Sequence, residues 1–378
     1  MRAVLVWSMA AVVLAGGVLL GSPAARAAAP GELIGLEPRP DGFHGLSGGY
    51  VVDYWTADGR GGSAPASGAF YVPPGEPPAG GWPVIAYDHG TTGLGPGCGG
   101  QSDPAGAPYR ESQDAQDVFV RHLLDRGFAV VAPDYLGLGR FDTGTHPYLG
   151  IDTEATATID LLRAVRSRRP DLSATWAVAG MSQGGQAALG TGHRQATYAP
   201  ELHFRGTIAL DPESDVEKVA TLLGPVPSVF DGNSDIMSFA AGILAGLRAA
   251  HPEAEVDSYL TPRGHEVLDT IGELCLDGMI EAVTGLGFPD LLARPLSTEP
   301  IRSVLDRYMR VPTAGYDAPI LLLANAADVT VPSPLHAALA AQFVAGGVDF
   351  ATVVGTGRHC AMDPAMWAAV DDFLARRF

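Results

Sequence analysis

Basic side chains are scarce in this chain of 378 residues: 24 Lys and Arg stand against 42 Asp and Glu, a formal net charge of −18. Residues 1–27 hold Arg2 and Arg26 and no acid, so the remainder stands at 22 − 42 = −20. So acidic a surface speaks against nucleic acid or anionic membranes as partners and keeps a monomer in solution. Cysteine is scarcer still, with only Cys98, Cys275 and Cys360. No C-x-x-C, H-E-x-x-H or EF-hand loop occurs, which argues against a metal or other cofactor. Heptads, low-complexity tracts and repeats of about 20–50 residues are also missing, which excludes coiled coils, solenoids and propellers. Beyond the N-terminus no stretch reaches the ~18–20 apolar residues of a spanning helix. Ile236 to Ala250 comes nearest, and Ser238 and Arg248 interrupt it.

What is present begins with an export signal. Arg2 precedes an almost unbroken apolar run from Ala3 to Leu20, then Gly21-Ser22-Pro23 and Ala25-Arg26-Ala27. A charged start, an apolar stretch and a small-x-small site are the parts of a secretory signal peptide. The breaker and the small residues favour removal over a permanent anchor, with cleavage expected after Ala27. Outside the cell disulfides persist, so three cysteines imply one bridge and one leftover thiol, in any of three pairings.

The remaining chain alternates strand-like and helix-like segments. Strands are expected at Tyr50–Tyr54, Ala69–Val72, Pro83–Tyr87, Phe128–Ala132, Thr175–Ala179, Phe204–Leu210, Ile320–Ala324 and Phe350–Val354. Helices are expected near Asp114–Asp125, over Asp152–Arg168 with Asp152 or Thr153 as cap, and from Asp363-Pro364 with Met366, Val370 and Phe373 facing inward. That rhythm predicts an α/β fold: a mostly parallel eight-stranded sheet with helices on both faces. It breaks once. Asp211 to about Asp317 is far longer than the ~2–6 residues of an ordinary strand-to-helix loop. Helix-like stretches at Ser214–Leu223, Ser234–Ala249 and Glu266–Val283 fill it. The reading is a core of residues 28–211 and 318–378, with a helical cap of residues 212–317 inserted after the sixth strand.

The chemistry concentrates at Gly180-Met181-Ser182-Gln183-Gly184, directly after the apolar run Thr175-Trp176-Ala177-Val178-Ala179. A serine hydroxyl is a poor nucleophile, so it needs exposure and a nearby base. A strand that turns sharply into a helix with serine at the tip is the nucleophile elbow of an α/β-hydrolase, whose acid and histidine follow in that order. Asp328 follows the seventh strand and His359 the eighth, both past the carboxyl ends of parallel strands, where open α/β sheets place their ligands. Asp211, directly after the sixth strand, is the rival acid, and Asp134 is read as a turn residue. His122 is assigned to packing, His336 to the surface or to support of the site, and His44, His193, His203, His251 and His265 have no strand-end setting. For the oxyanion, the backbone N–H of Gln183 opens the following helix. The second donor is expected from the loop after the third strand, Thr91 first and Asp88 as the alternative, with His89 shaping that loop.

Taken together, several motifs resemble the secretory lipase family of lipase A type, actinobacterial members included. They are Tyr87-Asp88-His89-Gly90-Thr91-Thr92-Gly93, Pro133-Asp134-Tyr135-Leu136-Gly137-Leu138-Gly139, His146-Pro147-Tyr148, the Ser182 elbow with Gly185, and the Asp328 and His359 settings. The resemblance covers nearly the whole chain after residue 27. It implies a secreted serine hydrolase of carboxylic esters, either triacylglycerols or shorter esters, with transient contact to a lipid interface and no cofactor. It also implies a Cys98–Cys275 bridge from the loop after the third strand into the cap. Cys360 is then left as a half-buried structural thiol. An exported peptidase or acyltransferase would use the same three side chains. A binding protein that kept the scaffold is the reading from a different class.

Overall fold

The computed structural model describes residues 28–39, 45–46, 48–103 and 110–378. The expected signal peptide, residues 1–27, and His44 lie outside the described residues. The described strands are β1 (Leu33–Arg39), β2 (Gly49–Ala57), β3 (Ser63–Tyr71), β4 (Trp82–Asp88), β5 (Ala129–Pro133), β6 (Leu172–Met181), β7 (His203–Leu210), β8 (Ile320–Asn325) and β9 (Phe350–Gly355). They form one sheet in the order β1-β2-β3-β5-β4-β6-β7-β8-β9. β1, β2 and β3 make an antiparallel edge, and β4 to β9 pair in parallel. The sheet thus has nine strands where eight were expected. The extra one, β1, lies at the antiparallel edge and is largely exposed. It buries too little to need an apolar alternation, so no pattern announced it.

The parallel strands are apolar on both faces because helices cover both. Ile85 and Val130 pack with Phe119 and Leu123 of α1 (Arg110–Leu124). Their neighbours Val84, Ala86 and Val131 point the other way, onto Ile159 and Leu162 of α2 (Ile151–Arg166) and Ala188 of α3 (Gln183–Tyr198). This is the two-residue alternation of a strand buried on both sides. α2 starts on Gly150, not on a side-chain cap: no cap hydrogen bond forms, and Thr153 donates back to the Gly150 carbonyl.

Between β7 and β8 the chain leaves the sheet. The insertion comprises α4 (Val216–Ala220), α5 (Ser234–Ala250), two short 3-10 turns, α6 (Pro262–Ile271), α7 (Leu276–Val283), α8 (Phe288–Leu291) and α9 (Ile301–Met309). The expected single helix over Glu266–Val283 is two helices, parted at Gly272–Cys275. The insertion has its own core, in which Met237, Leu244, Tyr259, Met279, Phe288 and Leu305 are buried. No described helix is long and apolar enough to cross a membrane. Two helices complete the sheet layers, α10 (Ser333–Gly346) and α11 (Pro364–Ala375), the latter capped by Asp363 accepting from Ala365 and Met366 N–H. The Cys98–Cys275 disulfide is present, 177 residues apart in sequence, and leaves Cys360 unpaired. The whole is the α/β-hydrolase architecture.

Candidate active site

Ser182 sits between the end of β6 and the start of α3 with φ 57° and ψ −123°, a positive-φ turn that aims its side chain outward. Such strain persists only where the surroundings enforce it. Here the two flanking glycines permit it: a Cβ on Gly180 would fall 2.0 Å from the Gly184 carbonyl oxygen, and one on Gly184 would fall 2.0 Å from that of Asp88. β6, α3 and the end of β4 therefore touch backbone to backbone under the serine.

Three side chains meet above this turn. Ser182 Oγ lies 2.8 Å from His359 Nε2, and His359 Nδ1 lies 2.7 Å from Asp328 Oδ2. An ionised carboxylate only accepts, so Nδ1–H donates to Asp328 and the Nε2 lone pair faces the serine hydroxyl. Asp328 is buried, which opposes its charge. Hydrogen bonds from His336 and His359 and from the Val331 N–H outweigh that, and hold its carboxyl well below the usual carboxylate range. Burial likewise opposes a charged His359, but Asp328 and the neighbouring Cys360 sulfur raise it above the usual imidazole range.

Asp211, the rival acid, is occupied elsewhere. Its carboxylate accepts from Asn325 N–H, Asn325 Nδ2 and Cys360 N–H, each at 2.7 Å. It pins the end of β8 to the residue beside His359. His336 is buried, not on the surface: its Nε2 lies 3.2 Å from Asp328 Oδ2 and 3.5 Å from Asp211 Oδ1. Thus it braces both acids. Asp134 does more than form a turn, accepting from Ser67 Oγ and from the Gln101 and Ser102 N–H groups. His122 packs at 4.2 Å from the Trp367 ring and bonds Asp371 at 2.8 Å.

The N–H of Gln183 heads α3, and neither it nor the N–H of Thr91 makes a hydrogen bond among the described residues. Gly90 and Thr91 line a cleft of about 620 Å³ together with Ser182 and His359. Asp88 does not line it. It is buried at the end of β4, in register with Gly180, and accepts from Thr158 Oγ1. Three contacts hold the loop in place. His89 Nδ1 bonds the Gly90 carbonyl, Tyr135 OH donates to the His89 carbonyl, and Thr91 Oγ1 bonds Tyr148 OH at 2.9 Å. His146 and Glu154 together fix the Gln183 side chain, whose Nε2 is 2.8 Å from Glu154 Oε1. Sequence reasoning passed over Glu154 and Tyr148, although His146-Pro147-Tyr148 had stood out as a motif. The bridge region sews the same loop to the insertion: Leu94 N–H donates to the Leu274 carbonyl and Leu276 N–H to that of Thr92.

A second cavity of about 230 Å³ adjoins the cleft through the shared residues Phe239 and Thr330. Its walls are apolar side chains of the insertion, such as Val219, Leu223 and Leu244, closed by Val331 and Leu335. Two groups bring potential metal ligands close together: Asp211, His359 and Cys360, and Asp211, Asp328 and His336. Asp211 serves both, and it is already bonded to backbone and side-chain N–H groups.

Comparison with known proteins fits this geometry. The family model for secretory lipase matches residues 110–378. Candida antarctica lipase A superposes with a TM-score of 0.73 at 19% identity, over 92% of this chain and 83% of that one. A rice cell wall degrading esterase from Xanthomonas oryzae gives 0.75 at 22%, over 93% of this chain and 100% of that one. A putative hydrolase of Legionella pneumophila gives 0.66 at 20%, over 86% and 88%. No curated protein matches the chain in sequence. At these identities the structures show a shared fold, whereas the family match spans well over half the chain. The chain therefore belongs to the secretory lipase family and is a lipase- or esterase-type hydrolase.

Proposed function

We propose that the protein is a secreted serine hydrolase that cleaves carboxylic esters through an acyl-enzyme on Ser182. One observation carries the reading: the unbroken hydrogen-bonded run from Ser182 Oγ through His359 to Asp328, at 2.8 and 2.7 Å. As Oγ attacks the ester carbonyl carbon, its proton passes to His359 Nε2. Asp328 holds the imidazole in the productive tautomer and balances the cation that forms. The negative oxygen of the tetrahedral intermediate accepts from the N–H groups of Gln183 and Thr91. Collapse expels the alcohol, which takes its proton from Nε2–H. Water then repeats the sequence on the acyl-serine, releases the acid and restores Oγ–H.

The apolar cavity suits the acyl chain, since it adjoins the Ser182 cleft at Phe239 and Thr330 and is walled by the insertion, which thereby serves as a cap. Leu222, Val226, Val229 and Val329 are exposed apolar residues. Val329 lines the cavity, and the first three belong to the segment that supplies Leu223 and Phe230 to it. Such a rim favours brief contact with a lipid surface. The signal-peptide layout of residues 1–27 in the sequence and the family match support the secreted reading.

Ser182→Ala is expected to abolish hydrolysis of p-nitrophenyl esters and labelling by a fluorophosphonate while leaving thermal unfolding unchanged. Retained turnover in the folded variant would refute the assignment.

A further inference from the structure

Glu213 is out of place. It is the one carboxyl among the residues lining the apolar cavity, only 7% exposed, and its side chain makes no hydrogen bond among the described residues. Its backbone is fixed next to the nucleophile, with its N–H 3.3 Å from the Ser182 carbonyl. Of the other acids of the same segment, Asp215 accepts from Lys218 and Gln342 and Asp211 holds Asn325 and Cys360, while Glu217 has no hydrogen-bond partner among the described residues either but does not line the cavity. An unpaired carboxylate in apolar surroundings is costly, and the cost falls on whatever shares the space.

The charged and titratable groups around it pull both ways. Asp328 and Glu154 (in α2) disfavour its ionisation, while His359 and His336 (in α10) favour it. Tyr148 faces the same cavity, and Asp211, Asp215 and Glu217 flank Glu213 along its own segment. Burial dominates, and the Glu213 carboxyl is pushed up to about 7. Protonated, it is a neutral wall that an alkyl chain can pass. Ionised, it holds water that an alkyl chain must displace.

We propose that Glu213 is a specificity-determining residue that couples acyl-chain preference to pH: its protonated carboxyl admits medium-length alkyl chains to the cavity, and its ionised form excludes them in favour of short acyl groups. This rests on reading Ser182 as the nucleophile and the cavity as the acyl site. Because the neutral form dominates at lower pH, preference for longer chains falls as pH rises through neutrality.

The test is the ratio of kcat/KM for p-nitrophenyl octanoate to that for p-nitrophenyl acetate, from about pH 5.5 to about pH 8.5. Both esters depend on the same titration of His359, so that titration cancels in the ratio, and an acetyl group is too short to fill the cavity. The wild-type ratio is expected to fall roughly tenfold across the range. Glu213→Gln should flatten it, and Glu213→Leu should hold it flat at a higher level. A flat wild-type ratio with brisk acetate turnover would overturn the proposal, as would the same fall in Glu213→Gln. Absence of acetate hydrolysis in the wild type, or its survival in Ser182→Ala, would sink the reading of the site instead.

Discussion

At the carboxyl edge of the sheet, the side chains of Ser182, Asp328 and His359 are held by directional hydrogen bonds. Asp328 accepts four such bonds, from the Thr330 and Val331 N–H groups and from two histidines. The helical insertion between β7 and β8 is built otherwise. Its core is apolar side chains of its helices, and it offers the neighbouring cavity walls with few polar atoms. Directional bonds fix a reacting geometry to tenths of an ångström, whereas apolar packing fixes a volume and a shape. The edge should therefore set the rate for every ester alike, and the insertion should set which ester is preferred.

The sharpest way to break that division is Asp328→Asn. Loss of the carboxylate removes the charge that steadies the imidazolium and lets the amide favour the wrong His359 tautomer, and kcat is expected to drop about 10³–10⁴-fold. The same factor should apply to acetate and octanoate esters. His359 must be neutral at Nε2 to accept the serine proton. In the wild type, where Asp328 raises it, kcat/KM should fall as pH drops through a value above the usual imidazole range. The variant should shift that acid limb to lower pH, which a pH profile of the residual rate would register. A chain-length-dependent loss would mean that the edge also selects.

Next in size is the covalent join between the regions. Cys98→Ser opens a bridge spanning 177 residues, and stability should fall by about 2–5 kcal/mol, read by urea unfolding. The comparison holds if the folded variant keeps its octanoate-to-acetate ratio, because the insertion carries its own core. A changed ratio well below the unfolding transition would show that the bridge shapes the cavity as well.

The same contrast explains what the amino-acid sequence disclosed. Strands such as Ala129–Pro133 are continuous apolar runs bounded by turn residues, and the order serine, acid, histidine is a property of the chain itself. The structure brings Ser182, His359 and Asp328 into one hydrogen-bonded run. The insertion was legible only in part. Its residues Glu266–Val283 have a helical pattern throughout, yet the chain must stop at Cys275 to meet Cys98 and pair with Thr92. A Cβ on Gly272 would also strike Thr145 Oγ1 at 2.5 Å. Both reasons lie more than a hundred residues away in sequence. α9 did carry a signal, with Ile301, Val304, Leu305 and Tyr308 at helical spacing, but it is short and the Pro295 and Pro300 before it obscure the start. The sequence narrows His336 only to the surface or to support of the site, and the structure gives it the second place; Glu213 draws no notice, because the importance of both comes from other elements.

Filling the cavity tests the insertion directly. Ala240 lines the cavity on α5, and Ala240→Phe adds bulk there. Octanoate kcat/KM should fall roughly 10–100-fold, in line with the 1–3 kcal/mol of overpacking, and acetate far less. Equal losses for both esters would mean that the cavity is not where the acyl chain goes.

The smallest effect addresses the residue that belongs to both regions. The Tyr148 ring lines the cavity, while its hydroxyl bonds Thr91 Oγ1 at 2.9 Å and steadies the loop that carries a proposed oxyanion donor. Tyr148→Phe keeps the ring and removes only that bond. A single hydrogen bond is worth about 0.5–1.5 kcal/mol, so kcat/KM should fall about 2–12-fold. Since the cavity wall is unchanged in shape, the loss should be the same for octanoate and acetate. If the ratio moves instead, the hydroxyl has been ordering the cavity through Thr91, and rate and selectivity are then coupled at this tyrosine.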